Sequence, residues 1–247
     1  KTILAAYWCY IGVPPKDIPF PDLASMIYAY AAFKPWHIKG GSQALSSALL
    51  ESFMEAGGEV RFNCGAKKIL TNGDVVRAVV TEEDEEISCS AVVSNASSII
   101  TYNELLDHDQ PPIAVREDFK SRRMGTSAFV LYMGLDCTPE ELGVTAASNF
   151  ICTTQDENLV YEGMQSMDEL HAGMLTCYNF DDPSFAPEGK SIVTLVNLQY
   201  GDLWKDIPEA DYAQTKYDFA EKLLDLIAQT FPKIRDHIEE LEVATPL

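Results

Sequence analysis

The chain has 247 residues, 47% of them apolar, and a formal net charge of −20. This apolar content suffices for the core of one large domain or two small ones. The strong negative charge repels phosphate backbones and argues against nucleic-acid binding, and the sequence contains no run of about 18 apolar residues, the length needed to cross a membrane.

The ends of the chain and its cysteines bear on its origin. The chain begins at Lys1 and stops at "EVATPL", from which we expect a piece of a longer protein. Its six cysteines are widely spaced, and no C-x-x-C pair occurs. We interpret them as reduced core residues of a cytoplasmic protein, with a disulfide framework as the minority alternative.

The N-terminal part predicts three helices. The first is apolar and ends at Pro14-Pro15, and the second, "FPDLASMIYAYAAF", is apolar nearly all round, which predicts a buried helix. In the third, Leu45, Leu49 and Phe53 recur every four residues and share one face. A glycine pair opens this helix and a second pair closes it.

Strands are predicted after the third helix. Val60, Phe62 and Cys64 alternate as in a half-buried strand. Asn72-Gly73 predicts a hairpin turn into the return strand "VVRAVV". The segment "ISCSAVVSNA" predicts a further strand that ends on small residues.

The C-terminal part predicts four strands and a long helix. The strands are rich in aromatic and β-branched residues: "SAFVLYMGL", "NFICTT", "GMLTCYNF" and "SIVTLVNLQY". An amphipathic helix follows from Pro208 to Phe231, and "IRDHIEELEV" forms a shorter final element. The whole pattern indicates an α+β fold, with a mixed, largely antiparallel sheet packed with helices.

Motifs of catalysis and metal binding are missing from the sequence. It contains no G-x-G-x-x-G, Walker loop, H-E-x-x-H or G-x-S-x-G. The four histidines lie far apart, and none has the spacing of a metal ligand. His37 directly precedes the first glycine pair, where we favour a structural role. On motifs alone, no catalytic residue and no metal site is predicted.

A family resemblance changes this interpretation. The stretch "GGSQALSSALLESFMEAGGEVRFNCGAKKI", followed by "AVVSNAS", resembles the central part of the phytoene desaturase, carotenoid isomerase and retinol saturase family. These are flavin-dependent oxidoreductases of the amine-oxidase-like group. "YWCYIGVPP", "SAFVLYMGL", "DPSFAPEGK" and "YAQTKYDFAEKLL" resemble further family segments in the correct order. The resemblance covers nearly the whole chain, and the order of its motifs makes it specific.

The resemblance implies a division of the chain and a cofactor. Residues 1–40 would be a helical segment of the substrate region, residues 41–100 a helix and β-hairpin contributing to the FAD domain, and residues 101–247 the substrate-binding domain. The family's two glycine-rich flavin-binding segments lie on either side of this stretch. FAD is therefore expected in the full-length parent and not in this fragment alone.

Six positions carry over as cofactor-binding residues. Gly40 and Gly41 match the glycine pair near the flavin and substrate cavity, and Ala66 replaces the family valine whose strand faces the adenine. The strand end that approaches the adenosine part of FAD matches three small residues: Ser94, Asn95 and Ala96. Two plainer alternatives stay open, a tight helix entry at the glycine pair and a simple turn at residues 94–96.

The activity implied is hydride exchange between FAD and carbon–carbon bonds of a polyene or isoprenoid-like apolar substrate. We expect a desaturase, isomerase or saturase as the parent, and an inactive fragment. "SAFVLYMGL" and the aromatic helices could line an apolar tunnel, although core packing explains them equally well. The alternatives from other classes are a non-catalytic lipid- or polyene-binding module and a protein-interaction domain.

The expected partners follow from the same interpretation. They are an apolar small-molecule substrate, no nucleic acid, and peripheral membrane contact in the parent. The acidic chain is a poor match for anionic lipid, so such contact would use an apolar patch. A fragment that once packed on another domain would expose apolar surface, through which it could dimerise.

Overall fold

The computed structural model describes residues 6–14, 16–107, 111–122 and 124–247. Helices and antiparallel strands are mixed in it, which confirms the predicted α+β class. The α-helices are Phe20–Phe33 (α1), Gly41–Glu55 (α2), Ser98–Ile100 (α3), Ile113–Ser121 (α4), Pro139–Leu142 (α5), Glu157–Gly163 (α6) and Glu209–Ala228 (α7). The strands are Ala66–Asn72 (β1), Val75–Thr81 (β2), Glu86–Ser88 (β3), Ser127–Leu135 (β4), Ser148–Cys152 (β5), Ala172–Cys177 (β6), Ser191–Gln199 (β7) and Ile238–Ala244 (β8).

The chain divides into two compact units. The large unit comprises Lys1–Ser47 and Gly125–Leu247, and the small unit comprises Ala48–Met124. The large unit holds a five-stranded sheet in the order β5-β6-β7-β4-β8, and the small unit a three-stranded sheet in the order β1-β2-β3. Whether residues 41–100 act as part of an FAD domain stays a prediction.

One face of the large sheet forms the main core. Alternate residues of β4, such as Phe129 and Leu131, are fully buried and pack with Leu223 and Ile227 of α7. A Cβ placed on Gly173 of β6 would lie 3.2 Å from Cδ1 of Ile227. The glycine thus lets α7 approach the sheet closely.

The small unit is built around the predicted hairpin. Asn72 ends β1, Val75 begins β2, and Gly73 in the turn has φ +58°, a conformation that suits glycine. The acidic turn after β2 is held by exposed ion pairs, among them Lys67 with Asp84 at 2.6 Å. Such exposed pairs contribute little to stability.

One strand prediction in the small unit was wrong, and a second was confirmed only at its start. Residues 60–64 form no strand, and Phe62 is exposed. An alternating pattern becomes a strand only where a neighbouring strand pairs with it, and no strand of the described chain pairs with this segment. The third strand, β3, covers only Glu86–Ser88, paired with β2. The segment from Cys89 to Ala96 continues without an assigned strand partner among the described residues.

The N-terminal helices also differ from expectation. The first predicted helix lies partly outside the described residues, and its described part is a 3-10 helix, Ala6–Tyr10. The second forms as α1, but none of its residues is buried, so the predicted burial was wrong. Phe20, Tyr28 and Phe33 are exposed, since no described element of the large unit covers them. Among the helices that the structure describes, none is long and apolar enough to cross a membrane.

Candidate functional site

The second face of the large sheet carries an apolar pocket. The register places Phe150 of β5 opposite Met174 of β6, and Met174 opposite Val196 of β7. Residues opposite each other in a sheet point to the same side, so these three side chains form one apolar surface. All three line a cavity of about 250 Å³.

The other wall of the pocket comes from the N-terminal 3-10 helix and from α6. Trp8 is buried in a cluster with Val160 and Met164. The ring of Tyr10 meets the ring of Phe150 edge to face at a centroid distance of 5.5 Å. Aromatic and aliphatic side chains therefore enclose the cavity on both sides.

Two cysteines in the lining add no charge to the pocket. Burial, together with the neighbouring Cys152, raises the pKa of the Cys9 thiol to about 11. Burial also raises the pKa of Cys152. Both side chains are thus neutral thiols at neutral pH, which suits an apolar ligand.

Polar side chains gather at one end of the pocket, where β5 ends and β6 begins. The backbone N–H of Thr153 donates to the carbonyl oxygen of His171 at 2.9 Å, and Oγ1 of Thr153 lies 3.2 Å from Nδ1 of His171. α6 starts directly afterwards, with Asp156 capping its first turn. Four polar lining residues belong to this part of the chain, between β5 and the first position of α6 and directly before β6. We call them the polar rim: Thr154, Gln155, Glu157 and His171.

The predicted glycine pair lies at the entry of α2 in the large unit. Gly40 and Gly41 have φ values of +80° and +78°, which other residues adopt only with strain. A Cβ on Gly41 would lie 3.5 Å from the ring of Phe185, which belongs to the "DPSFAPEGK" loop. The fold thus brings two segments of the family resemblance together.

A histidine and an aspartate join the same two segments. Nε2 of His37 lies 3.7 Å from Oδ2 of Asp182, and the His37 ring meets Phe185 edge-on. Hydrogen bonds from Ser184, with a smaller contribution from His37, lower the pKa of Asp182. These contacts support the structural role expected of His37. Among the residues that the structure describes, no group of three or more His, Cys, Asp or Glu side chains could hold a metal ion.

The other predicted cofactor residues lie in the small unit. Ala66 is the exposed first residue of β1, and Ser94, Asn95 and Ala96 are exposed in the segment after β3. The hydroxyls of Ser94 and Thr101 lie 2.7 Å apart, which ties this segment to the following helical turn. The roles of these residues toward FAD stay predictions.

Sequence reasoning missed most of the pocket. "SAFVLYMGL" is β4, whose inward residues fill the core beneath α7, so core packing explains it. The lining comes instead from three distant parts of the chain, and the polar rim matches no motif. Only the aromatic residues of the N-terminal segment pointed to the pocket in the sequence, since Trp8 and Tyr10 line it.

Comparison with known proteins identifies the family. The model of the flavin containing amine oxidoreductases matches residues 17–244. The chain belongs to this family. Among its relatives in the family, all-trans-retinol 13,14-reductase of Danio rerio is 28% identical over the whole chain, which corresponds to 44% of that protein. The lycopene-forming phytoene desaturase of Pantoea ananas is 34% identical over 62% of the chain and 31% of that protein.

A solved structure shares the fold of this chain. An oxidoreductase from Methanosarcina mazei superposes with a TM-score of 0.66 at 16% identity, covering 97% of this chain and 51% of that one. The chain thus spans less than half the length of the two curated relatives and about half of this structural neighbour.

Proposed function

We propose that this chain is the substrate-binding part of an FAD-dependent oxidoreductase that acts on carbon–carbon bonds of an isoprenoid or polyene. The observation that carries the proposal is the apolar pocket between the sheet, the N-terminal 3-10 helix and α6. Membership of the flavin-containing family supplies the redox class. The retinol reductase and the phytoene desaturase among the relatives are named for isoprenoid substrates, which supports the substrate class.

The chemistry requires a hydride and a proton to move. In desaturation, one carbon of the chain loses a hydride, its neighbour loses a proton, and a double bond forms; saturation is the reverse. When bound, FAD supplies the hydride acceptor or donor. The pocket's residues hold the substrate chain in a fixed orientation and exclude water, and its neutral thiols add no charge to this environment.

The predicted cofactor residues have features that fit a bound dinucleotide. Gly40 and Gly41 form a turn without side chains, which allows close approach of another group to the backbone. Ser94, Asn95 and Ala96 are small and exposed, in a segment without an assigned strand partner in the described chain. We propose that Gly40 and Gly41 lie toward the flavin ring, and that residues 94–96 lie toward the adenosine part of FAD.

The visible absorbance spectrum of the protein purified from its complete gene tests this proposal. We expect flavin bands, and we expect Ala96→Trp to lower the retained FAD at least about tenfold, because a large ring would block close approach; tenfold corresponds to about 1.4 kcal/mol. Ala114→Trp, at an exposed alanine of α4, is the matched control and should keep its FAD. A colourless protein that takes up no added FAD would contradict the proposal and favour a non-catalytic binding module.

A further inference from the structure

The pocket is polar at one end and apolar elsewhere. Phe150, Met174 and Val196 form its apolar surface. The polar rim lies at the connection between β5 and α6. Its volume of about 250 Å³ lies below the roughly 300–1,000 Å³ of pockets that enclose a whole drug-sized ligand. The pocket therefore suits one end of a long chain, with the polar rim facing the end group.

The polar rim has the chemistry of an alcohol site. A hydroxyl both donates and accepts a hydrogen bond. Glu157 offers carboxylate oxygens as acceptors, and Gln155 offers an amide N–H as donor. His171 also belongs to the lining, and its ring contacts Thr153 through Nδ1 and lies 3.9 Å from the Glu169 carboxylate through Nε2.

The same rim disfavours an acid. Glu157 is half-buried at the first position of α6, directly after the capping Asp156. Among the described residues that line the pocket, none is a lysine or an arginine. Glu157 would therefore repel a carboxylate end group, and no lysine or arginine of the described lining offsets that repulsion.

We infer that Glu157 makes this pocket selective for an isoprenoid with an uncharged, hydroxyl-bearing end over one with a carboxylate end. The inference deepens the proposed function and takes the isoprenoid class from it. The selectivity comes from one carboxylate at the rim, with Gln155 completing the hydrogen bonds of the hydroxyl. A plain hydrocarbon end would be accepted more weakly, because the rim's polar groups would lose water without gaining a partner.

Equilibrium binding to the complete protein tests the inference. The ligands are a C20 isoprenoid alcohol, the corresponding carboxylic acid and the corresponding hydrocarbon, followed by tryptophan fluorescence at neutral pH, since Trp8 lines the pocket. We expect the alcohol to bind about tenfold more tightly than the acid and a few-fold more tightly than the hydrocarbon.

Glu157→Gln should then remove the discrimination. It should tighten binding of the acid about tenfold and change binding of the alcohol less than about threefold, because the amide keeps the shape and an acceptor oxygen. Glu162→Gln is the matched control, since Glu162 lies on α6 outside the lining. Circular dichroism of each variant verifies folding.

Three results would overturn the inference. They are an unchanged acid-to-alcohol ratio in Glu157→Gln, equal binding of all three ligands by the unaltered protein, and no binding of any of them. The first two results concern Glu157 alone and leave the proposed function standing. The third, in a protein that keeps its flavin absorbance, would also contradict the pocket as the substrate site.

Discussion

Replacing Trp204 by alanine is expected to unfold the large unit or bring it close to unfolding. Trp204 is 1% exposed and stacks on Phe129 at a centroid distance of 5.4 Å. Removing such a ring costs about 3–5 kcal/mol. Its Nε1 also donates to Oε1 of the fully buried Gln199 at 2.7 Å. Leaving that oxygen unpaired costs about 1–3 kcal/mol more.

Urea unfolding followed by far-UV circular dichroism measures this effect. Trp204→Phe separates the two contributions, because it keeps most of the aromatic surface and loses only the hydrogen bond. We expect it to lower the free energy of unfolding by about 1–3 kcal/mol, the cost of the unpaired oxygen. Trp36→Ala is the matched control: Trp36 is 86% exposed and its loss should change the free energy of unfolding by no more than about 0.5 kcal/mol. Equal effects of the alanine variants at positions 204 and 36 would show that the core is assigned wrongly.

Filling the pocket is expected to abolish most of the activity of the complete protein. Ala172 is half-buried on β6 and lines the pocket beside Met174. A phenylalanine at position 172 would occupy space that the substrate chain needs. We expect turnover of an isoprenoid substrate to fall about 100-fold or more, equivalent to about 2.7 kcal/mol, while flavin absorbance stays unchanged.

Thr176→Phe is the control for this experiment. Thr176 lies on the same strand and the same face of the sheet, four residues farther on, and does not line the pocket. It adds a ring of the same size, and we expect activity within about threefold of the unaltered protein, less than 1 kcal/mol. Equal loss in both variants would mean that the sheet, and not the pocket, is sensitive to bulk.

Strands with a continuous apolar or β-branched pattern could be predicted from the sequence, and one strand could not. β4, β5, β6 and β7 each combine apolar and β-branched residues within one short run. β8 was missed because its apolar residues Ile238, Leu241 and Val243 are unevenly spaced, which hides the period of two. The fold accommodates this spacing by an irregular pairing with β4 between Gly134 and Leu135.

The candidate site was harder to predict than the fold. The glycine pair was visible because its sequence resembles a family motif, and its positive φ values explain why glycine stands there. The pocket joins the segment around Trp8, the end of β5 with α6, and β7, which only the folded chain brings together. Glu157 carries no sequence signal at all, because its proposed role depends on which side chains surround it.

Anaerobic mixing of the complete protein with an isoprenoid substrate tests the central claim most directly. We expect a spectral change of the flavin: loss of the oxidised absorbance when the protein desaturates the substrate, or its recovery from the reduced flavin when the protein saturates it. The change should be slowed in Ala172→Phe and preserved in Thr176→Phe. A flavin whose spectrum responds to no isoprenoid, in either redox state, would contradict the assignment of this chain to substrate binding for hydride exchange.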